Sequence, residues 1–291
     1  MSPQEAPIQG ERVGMLAFAG PLVRATTLQQ VWNLLCVELS AYGFDRLIYG
    51  FTRFATPSGV GPLEDALFLT SHDKDYFERF IGDRMFLDAP LTRWVQENRS
   101  GSCSWGQIWK KPQDLRPQER EVVAFNIAMG VTAGYTVAIP TPSPRSYALF
   151  ALTGKRGLTQ QDLDDTWARH GEEIEVICNL AHLKFASLPI DTARTKLSRR
   201  QMEVLEWVAL GKSNQDVATI MGVSVPTIEK HLRVAREKLV VETTAQAIAK
   251  LTFLNQMYVS TSQPPSFGPN REATESLRSF INETDEEEAE A

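Results

Sequence analysis

The chain has 291 residues, 43% of them hydrophobic and 9% aromatic, and a formal net charge of −6. This length and composition predict two globular domains with buried cores. No apolar stretch reaches the roughly 18 residues of a transmembrane helix, and the start, MSPQEAPIQGER, lacks the features of a signal peptide. Three cysteines without metal-ligand or disulfide spacing indicate a reducing compartment, so we expect a cytoplasmic protein without a membrane partner.

Residues 1–14 are predicted to be a flexible arm, and residues 15–188 to form a first domain of mixed helices and strands. Strands that alternate with helices able to cover both faces of a sheet predict an α/β/α sandwich. The predicted helices lie at about 27–42, 73–81, 91–98, 116–129 and 159–188, and the predicted strands at 46–51, 66–70, 135–139 and 147–152.

Residues 189–195 are predicted to be a linker, and residues 196–259 an all-α second domain of four helices. Gly211 and Gly222 end its first two helices, because glycine accepts the positive φ that a helix end often requires. The third helix has an apolar seam and a polar, partly basic outer face, and its apolar seam contains Ile228, Leu232, Ala235 and Leu239. Two short helices joined by a glycine-containing turn, in which the later helix has a polar, partly basic outer face, are typical of a helix-turn-helix. The whole chain is therefore predicted to be α+β.

The acidic charge is concentrated at the C-terminus, where residues 271–291 contain eight acids and two bases and so carry the whole net charge of −6. Residues 260–291 are predicted to be a flexible acidic tail. Residues 195–258 contain nine bases and six acids, so the second domain is locally basic, as a DNA-binding domain is expected to be.

The stretch from Leu197 to Leu239 resembles the C-terminal DNA-binding domain of LuxR-type transcription regulators. The resemblance is carried by Leu197 with Arg200 and by residues 203–205, 211–214, 216–218, 223–224, 227–228, 231–232, 238–239 and 246–247. It implies that the run from Lys212 to Asn214 anchors a phosphate, which also follows from the affinity of helix N-termini for anions. It further implies that Thr227, Lys230 and His231 lie near the DNA backbone, and that Glu229, Lys230 and Arg233 face bases. The complete predicted DNA-binding set is Lys212, Ser213, Asn214, Thr227, Glu229, Lys230, His231, Arg233 and Arg236.

The first domain resembles, by scattered motifs, the autoinducer-binding domain of the same family. The motifs are the Asp88-Ala89-Pro90 turn, Trp105, the helix end at Met129-Gly130, and Gly134 before an apolar strand. In that family an aspartate, a tryptophan and a tyrosine hold an acyl-homoserine lactone through hydrogen bonds in an apolar pocket. The resemblance implies a ligand-binding set of Tyr76, Phe80, Asp88, Trp105 and Gly134.

This chain departs from the family pattern at the residues that would hold the lactone. Tyr76 can donate a hydrogen bond, Phe80 cannot, and Ala89 interrupts the family's Asp-Pro pair. The ligand can therefore be an acyl-homoserine lactone, a different small apolar molecule, or none. From the residues alone, the aromatic side chains would be assigned to core packing and Asp88 to a helix N-cap.

These features predict a transcription regulator of the quorum-sensing type, controlled by a small-molecule signal. We expect a homodimer on promoter DNA, because one recognition helix reads only half a site, and RNA polymerase is a further candidate partner. The helix from Thr244 to Tyr258 is the expected dimer contact, through Ile248, Leu251 and Met257. The alternative is a ligand-independent regulator or an antiactivator with a closed pocket, acting by heterodimerisation. The four histidines form no metal or catalytic motif, so neither an enzyme nor a metal cofactor is predicted.

Overall fold

The computed structural model describes residues 15–56, 59–109, 112–190 and 196–258. The predicted arm, the predicted acidic tail and most of the predicted linker lie outside these residues. The described chain divides into two compact units. The second unit joins the segments Gly50–Phe68 and Thr141–Tyr147 to the C-terminal helices, and the first contains the rest.

The order of elements up to residue 187 follows the predicted alternation of helices and strands. Two additional helices and one additional strand are present: α1, α5 and β3. The elements are α1 (Met15–Arg24), α2 (Leu28–Ala41), β1 (Phe44–Thr52), β2 (Leu67–Thr70), α3 (Lys74–Phe77, followed by a π-helical turn Glu78–Gly82), α4 (Pro90–Asn98), β3 (Gly101–Ser104), α5 (Trp105–Trp109), α6 (Pro117–Ala128), β4 (Gly134–Ile139), β5 (Tyr147–Gly154) and α7 (Gln160–Ser187).

The strands form one five-stranded sheet in the order β2-β1-β5-β4-β3. The predicted hairpin is confirmed, since β4 pairs antiparallel with β5 and Val137 lies opposite Phe150. Strand β3 completes the edge by pairing antiparallel with β4. Its sequence, Gly-Ser-Cys-Ser, has no alternation of large apolar and polar residues, so the period-two signal of a strand is missing there.

Both faces of the sheet are covered, as the sandwich prediction requires. Tyr49 in β1 stacks on Phe185 of α7, with ring centroids 4.7 Å apart. Its neighbour Ile48 points to the opposite face, because side chains alternate along a strand, and packs there with Tyr76 and Trp105. All six residues of β4 are buried, which requires cover on both sides. The α/β/α sandwich is therefore confirmed.

A half-buried ion pair joins α4 to α6 on one side of this sandwich. The Arg93 guanidinium donates two hydrogen bonds to the Glu119 carboxylate, at 2.7 and 3.2 Å. The same carboxylate accepts the backbone N–H of Arg116 at 2.8 Å. Burial raises the pKa of Glu119, but the hydrogen bonds from Arg93 and Arg116 outweigh it and leave the pKa lowered. These bonds fix the start of α6 relative to α4.

The C-terminal helices are α8 (Arg199–Ala209), α9 (Asn214–Met221), α10 (Val225–Leu239) and α11 (Thr244–Phe253). Side chains of Ser198, Ser213 and Thr243 cap three of them, each in a reciprocal capping box. Gly222 adopts a φ of 66° at the end of α9, which turns the chain into α10 as predicted. The four-helix, all-α domain is confirmed.

The assignment of the apolar side of α11 to a dimer contact is wrong for Leu251, and it stays a prediction for Ile248 and Met257, which are only partly buried. Leu251 is completely buried in the core of its own helices, and Ile248 and Met257 pack against the same core. The hydrophobic period of α11 reports burial within one chain, and periodicity does not distinguish a domain core from an interface.

Among the described residues no helix is long and apolar enough to cross a lipid bilayer.

Gly134, at the start of β4, lies where no side chain fits. An added Cβ would lie 2.3 Å from the carbonyl oxygen of Leu152 and 2.9 Å from two ring carbons of Trp105. The backbone N–H of Gly134 donates to the Gln160 side chain at 3.0 Å, which fixes the strand in this position.

Gly134→Ala is therefore expected to destabilise the first unit by about 1–3 kcal/mol, because the sheet edge and the Trp105 ring must both shift. Thermal unfolding followed by circular dichroism measures the effect. Gly82→Ala is the matched control, since nothing lies within 4 Å of a Cβ added there. Equal melting temperatures for the two variants would contradict the close approach at Gly134.

Candidate DNA-binding surface and ligand-binding core

Helix α10 separates its apolar and charged residues on two faces. The predicted seam is confirmed, because Ile228, Leu232, Ala235 and Leu239 are all buried among α8, α9 and α11. On the other side, Glu229, Lys230 and Arg233 are exposed, and Thr227, His231 and Arg236 are half-buried. A helix of this kind fits the major groove of B-DNA with its charged face toward the bases.

The N-terminus of α9 presents the other predicted anchor. The Ser213 hydroxyl donates to the Asp216 carboxylate at 2.7 Å and accepts the Asp216 backbone N–H at 3.2 Å. The hydrogen bonds from Ser213 lower the pKa of Asp216. Lys212 is exposed beside this cap, and Asn214 is half-buried in the first turn. The carboxylate already occupies part of the helix N-terminus, so a phosphate there would interact mainly with Lys212.

Both arginines of the predicted DNA-binding set have partners within the protein. Arg233 donates to the Glu237 carboxylate at 2.6 Å, one helical turn away, and both side chains are more than half exposed. Arg236 donates to the Thr244 hydroxyl at 3.0 Å, which ties α10 to α11. An exposed i,i+4 pair is weak, so Arg233 can leave Glu237 for a base at little cost.

The first unit contains an aromatic cluster on the face of the sheet opposite α7. Tyr76 is at its centre, with only 3% of its surface exposed. It stacks with Phe80 at 5.2 Å and with Phe125 at 5.5 Å between ring centroids. The cluster consists of Ile48, Tyr76, Trp105, Phe125 and Val131, with Phe80, Met85, Leu91, Met129 and Ala151 packed against it.

Polar groups in this cluster have specific partners. The Tyr76 hydroxyl donates to the Asn126 side-chain oxygen at 2.9 Å. Trp105 Nε1 donates to the Thr136 hydroxyl at 2.9 Å. Burial raises the pKa of the Tyr76 hydroxyl, an effect that the nearby charge of Arg46 partly offsets. Tyr76 is therefore a neutral hydrogen-bond donor in an apolar environment.

The five residues predicted from the resemblance do not all meet in this cluster. Tyr76 and Trp105 are buried members, Phe80 packs against them, and Gly134 supports the Trp105 ring. Asp88 is exposed, at the end of a short 3-10 turn, and the N-cap of α4 is Ala89, so the N-cap assignment for Asp88 is wrong.

His72 is a residue of this cluster that the sequence interpretation missed. Its ring stacks on Tyr76 with centroids 4.3 Å apart, and its Nε2 lies 3.2 Å from the Thr153 hydroxyl. His72, Tyr76 and Phe80 are spaced by four residues, and this spacing is the signal that could have identified it. Burial, with the neighbouring Arg46 charge as a second cause, lowers the pKa of His72 to about 3.

The low pKa of His72 makes the stability of the first unit depend on pH. Below the unfolded value of about 6.5, the unfolded chain binds a proton that the folded chain does not, so stability is lost as the pH falls. The loss is at most about 1.4 kcal/mol for each pH unit.

The melting temperature of the parent is expected to exceed that of His72→Gln near pH 7.5, and the difference is expected to shrink near pH 5. Parallel pH profiles for the two proteins would contradict a neutral, half-buried His72.

Comparison with known proteins identifies both parts of the chain. Residues 27–185 match the model of the autoinducer binding domain, and residues 195–251 match that of the bacterial regulatory proteins of the luxR family. The HTH-type quorum sensing-dependent transcriptional regulator RpaR of Rhodopseudomonas palustris is 24% identical over 207 residues, 69% of this chain and 80% of RpaR. The transcriptional activator protein EchR of Dickeya chrysanthemi is 26% identical over 232 residues, 75% of this chain and 87% of EchR.

Among solved structures, Escherichia coli SdiA aligns with a TM-score of 0.49 at 16% identity, over 82% of this chain and 95% of SdiA. The match to the autoinducer-binding model alone extends over more than half of the sequence. The chain belongs to the LuxR family of quorum-sensing transcriptional regulators, in which an autoinducer-binding domain precedes a DNA-binding helix-turn-helix domain.

Proposed function

We propose that this regulator binds promoter DNA as a cytoplasmic homodimer and that a small apolar molecule, held by the aromatic cluster, controls that binding. The observation that carries the DNA-binding part is the two-sided α10, with its apolar seam buried and its Glu229, Lys230 and Arg233 exposed. Two copies are needed because one such helix reads only a half-site. The protein acts by binding rather than catalysis, and RNA polymerase is its proposed downstream partner.

The proposed DNA contacts have different chemical roles. Arg233 and Glu229 are proposed to read base edges, because arginine pairs with guanine and glutamate accepts from cytosine in the major groove. Lys212 and Lys230 are proposed to neutralise phosphates, which strengthens binding without sequence preference. The remaining members of the set, Ser213, Asn214, Thr227, His231 and Arg236, are proposed to orient these side chains and contact the DNA backbone.

Selection of duplexes from randomised DNA by the full-length protein tests this proposal. We expect an inverted repeat to be enriched, because a two-fold symmetric dimer presents two recognition helices about one helical turn apart. Enrichment of a single, unpaired half-site would argue against the dimer. No enrichment over the starting library, with or without cell extract that could supply a ligand, would reject sequence-specific binding.

Arg233→Ala is expected to weaken binding to the selected duplex by about 1–3 kcal/mol while changing binding to unrelated DNA little. Glu237→Gln is the matched control: it removes the partner of Arg233 and leaves the guanidinium in place, so affinity should not fall. Fluorescence anisotropy with labelled duplexes measures both. An unchanged affinity of Arg233→Ala would show that Arg233 does not read a base.

Lys212→Ala is expected to weaken binding to selected and unrelated duplexes alike, and to lower the salt slope of the binding constant by about one. Titrations at several salt concentrations measure that slope. A loss confined to the selected duplex would mean that Lys212 reads sequence instead of neutralising a phosphate.

The proposed ligand site consists of Tyr76, Phe80, Trp105 and Gly134, together with His72. Apolar walls with a few partnered polar groups are typical of small-molecule sites. Asp88 stays a prediction, because the residue is exposed and is not a member of the aromatic cluster. An acyl-homoserine lactone is the proposed chemical class, with its acyl chain among the aromatic rings and one of its carbonyl groups competing with Asn126 for the Tyr76 hydroxyl.

A ligand-independent regulator is the second candidate, and one observation favours it. The Tyr76 hydroxyl already has a partner in Asn126, and the Tyr76 ring is in contact with three neighbouring rings. Native mass spectrometry of protein expressed with and without added acyl-homoserine lactones separates the candidates. An added mass that is lost in Tyr76→Phe supports the ligand-controlled form. A dimer without added mass that still selects DNA supports the ligand-independent form. A heterodimer with another regulator supports the antiactivator.

A further inference from the structure

The second unit contains a buried ion pair between residues that are distant in sequence. Lys250 Nζ lies 2.7 Å from Asp65 Oδ2, and the two side chains are 7% and 5% exposed. Lys250 is on α11, inside the DNA-binding family match, whereas Asp65 lies between β1 and β2, inside the autoinducer-binding match. Both residues belong to the same compact unit.

Lys250 connects this pair to the recognition helix. Its ammonium group also donates to the carbonyl oxygen of Leu239 at 2.9 Å. Leu239 is the last residue of α10, where carbonyl groups have no partner within the helix. One lysine therefore holds the C-terminal end of α10 and the Asp65 carboxylate at the same time.

Other residues of the Gly50–Phe68 segment contact the same region. Arg53 donates to the Ala186 carbonyl at 2.8 Å and also contacts the Phe253 carbonyl at the end of α11. Phe54 packs edge-on against Phe253, with ring centroids 6.1 Å apart, and its ring lies 5.9 Å from Lys250 Nζ. The Phe54 ring thus lies beside the ion pair, whose two side chains are almost completely buried.

The Asp65 carboxylate is incompletely satisfied. Its Oδ1 is buried and has no hydrogen-bond partner among the residues that the structure describes. A buried carboxylate with one unpartnered oxygen carries a desolvation cost that a single lysine offsets only in part. Such a pair adds little to net stability, but it is costly to break from one side, which suits a contact that fixes a position.

From these contacts we infer that Asp65 is a positioning residue for DNA recognition, which holds the end of α10 and the start of the following turn through Lys250. The inference rests on the proposed DNA-binding role of α10 for its effect on affinity, but its structural part is independent of that role. Asp65 would thus act in DNA binding although it belongs to the autoinducer-binding sequence and lies outside the proposed DNA-contacting set.

Hydrogen exchange of the full-length protein, followed by mass spectrometry, tests the structural part without DNA. Asp65→Asn leaves the Lys250 charge buried without its partner, so exchange of the amides of residues 236–256, from the last turn of α10 to the end of α11, is expected to rise about tenfold or more. Asp83→Asn is the control, because Asp83 is exposed in the first unit and should leave these amides unchanged.

The double variant Asp65→Asn with Lys250→Met distinguishes the ion pair from a general loss of structure. Because Asp65 acts through Lys250, Asp65→Asn is expected to cause no further rise in exchange once Lys250→Met has removed the ammonium group. A further rise of similar size in the Lys250→Met background would overturn the inference. So would an unchanged exchange rate in Asp65→Asn. If Asp65→Asn does not fold, Asp65→Glu keeps the charge but shifts it by one methylene, and a smaller rise at the same amides is then expected.

The functional part uses the duplex selected by the parent protein. Asp65→Asn is expected to bind it about tenfold more weakly, and the double variant is expected to bind it no more weakly than Lys250→Met alone. Faster exchange without any loss of affinity would overturn the positioning role while leaving DNA binding by α10 intact. If the parent selects no duplex, the proposed function fails, and the exchange result still decides whether Asp65 fixes the end of α10.

Discussion

The first unit depends on the removal of both faces of its sheet from water. Because side chains alternate along a strand, each strand supplies one set of apolar residues to α7 and the other set to the opposite face. Tyr49 and Phe150 are on the α7 side, and Ile48 and Ala151 are on the other. The aromatic cluster around Tyr76 exists because that second face must also be covered. The proposed ligand site is therefore part of the core.

A site built from core residues links ligand binding to folding. The same rings that would surround an apolar signal also shield the sheet from water. Ligand binding and core packing therefore compete for the same side chains. Hydrogen bonds within the protein, from Tyr76 to Asn126 and between His72 and Thr153, satisfy the polar groups without a ligand. A ligand that displaced these bonds would have to replace them, because a buried polar group left without a partner is costly.

The second unit shows how one helix serves two requirements. The apolar seam of α10 fixes its orientation among α8, α9 and α11, and the opposite face stays available for DNA. Its C-terminal end is held by Lys250, which is itself paired with Asp65 from the segment between β1 and β2. The recognition helix is thus positioned partly by residues outside the helix-turn-helix sequence.

The sequence by itself determined the fold class, the helix-turn-helix and most elements. Strong local signals account for this: the seam from Ile228 to Leu239, the turn glycine Gly222, and the alternating hairpin strands. Local signals failed at β3, whose four small or polar residues become a strand only because β4 offers a free edge.

Only the tertiary structure decided which side chains meet. It placed His72 and Asn126 beside Tyr76, left Asp88 exposed, and buried Leu251 in its own domain instead of at an interface. It also brought Asp65 within 2.7 Å of Lys250, although 185 positions separate them in the sequence. Periodicity reports which face of an element is apolar. The partner of that face depends on how distant segments of the chain pack together, and local sequence patterns do not specify this packing.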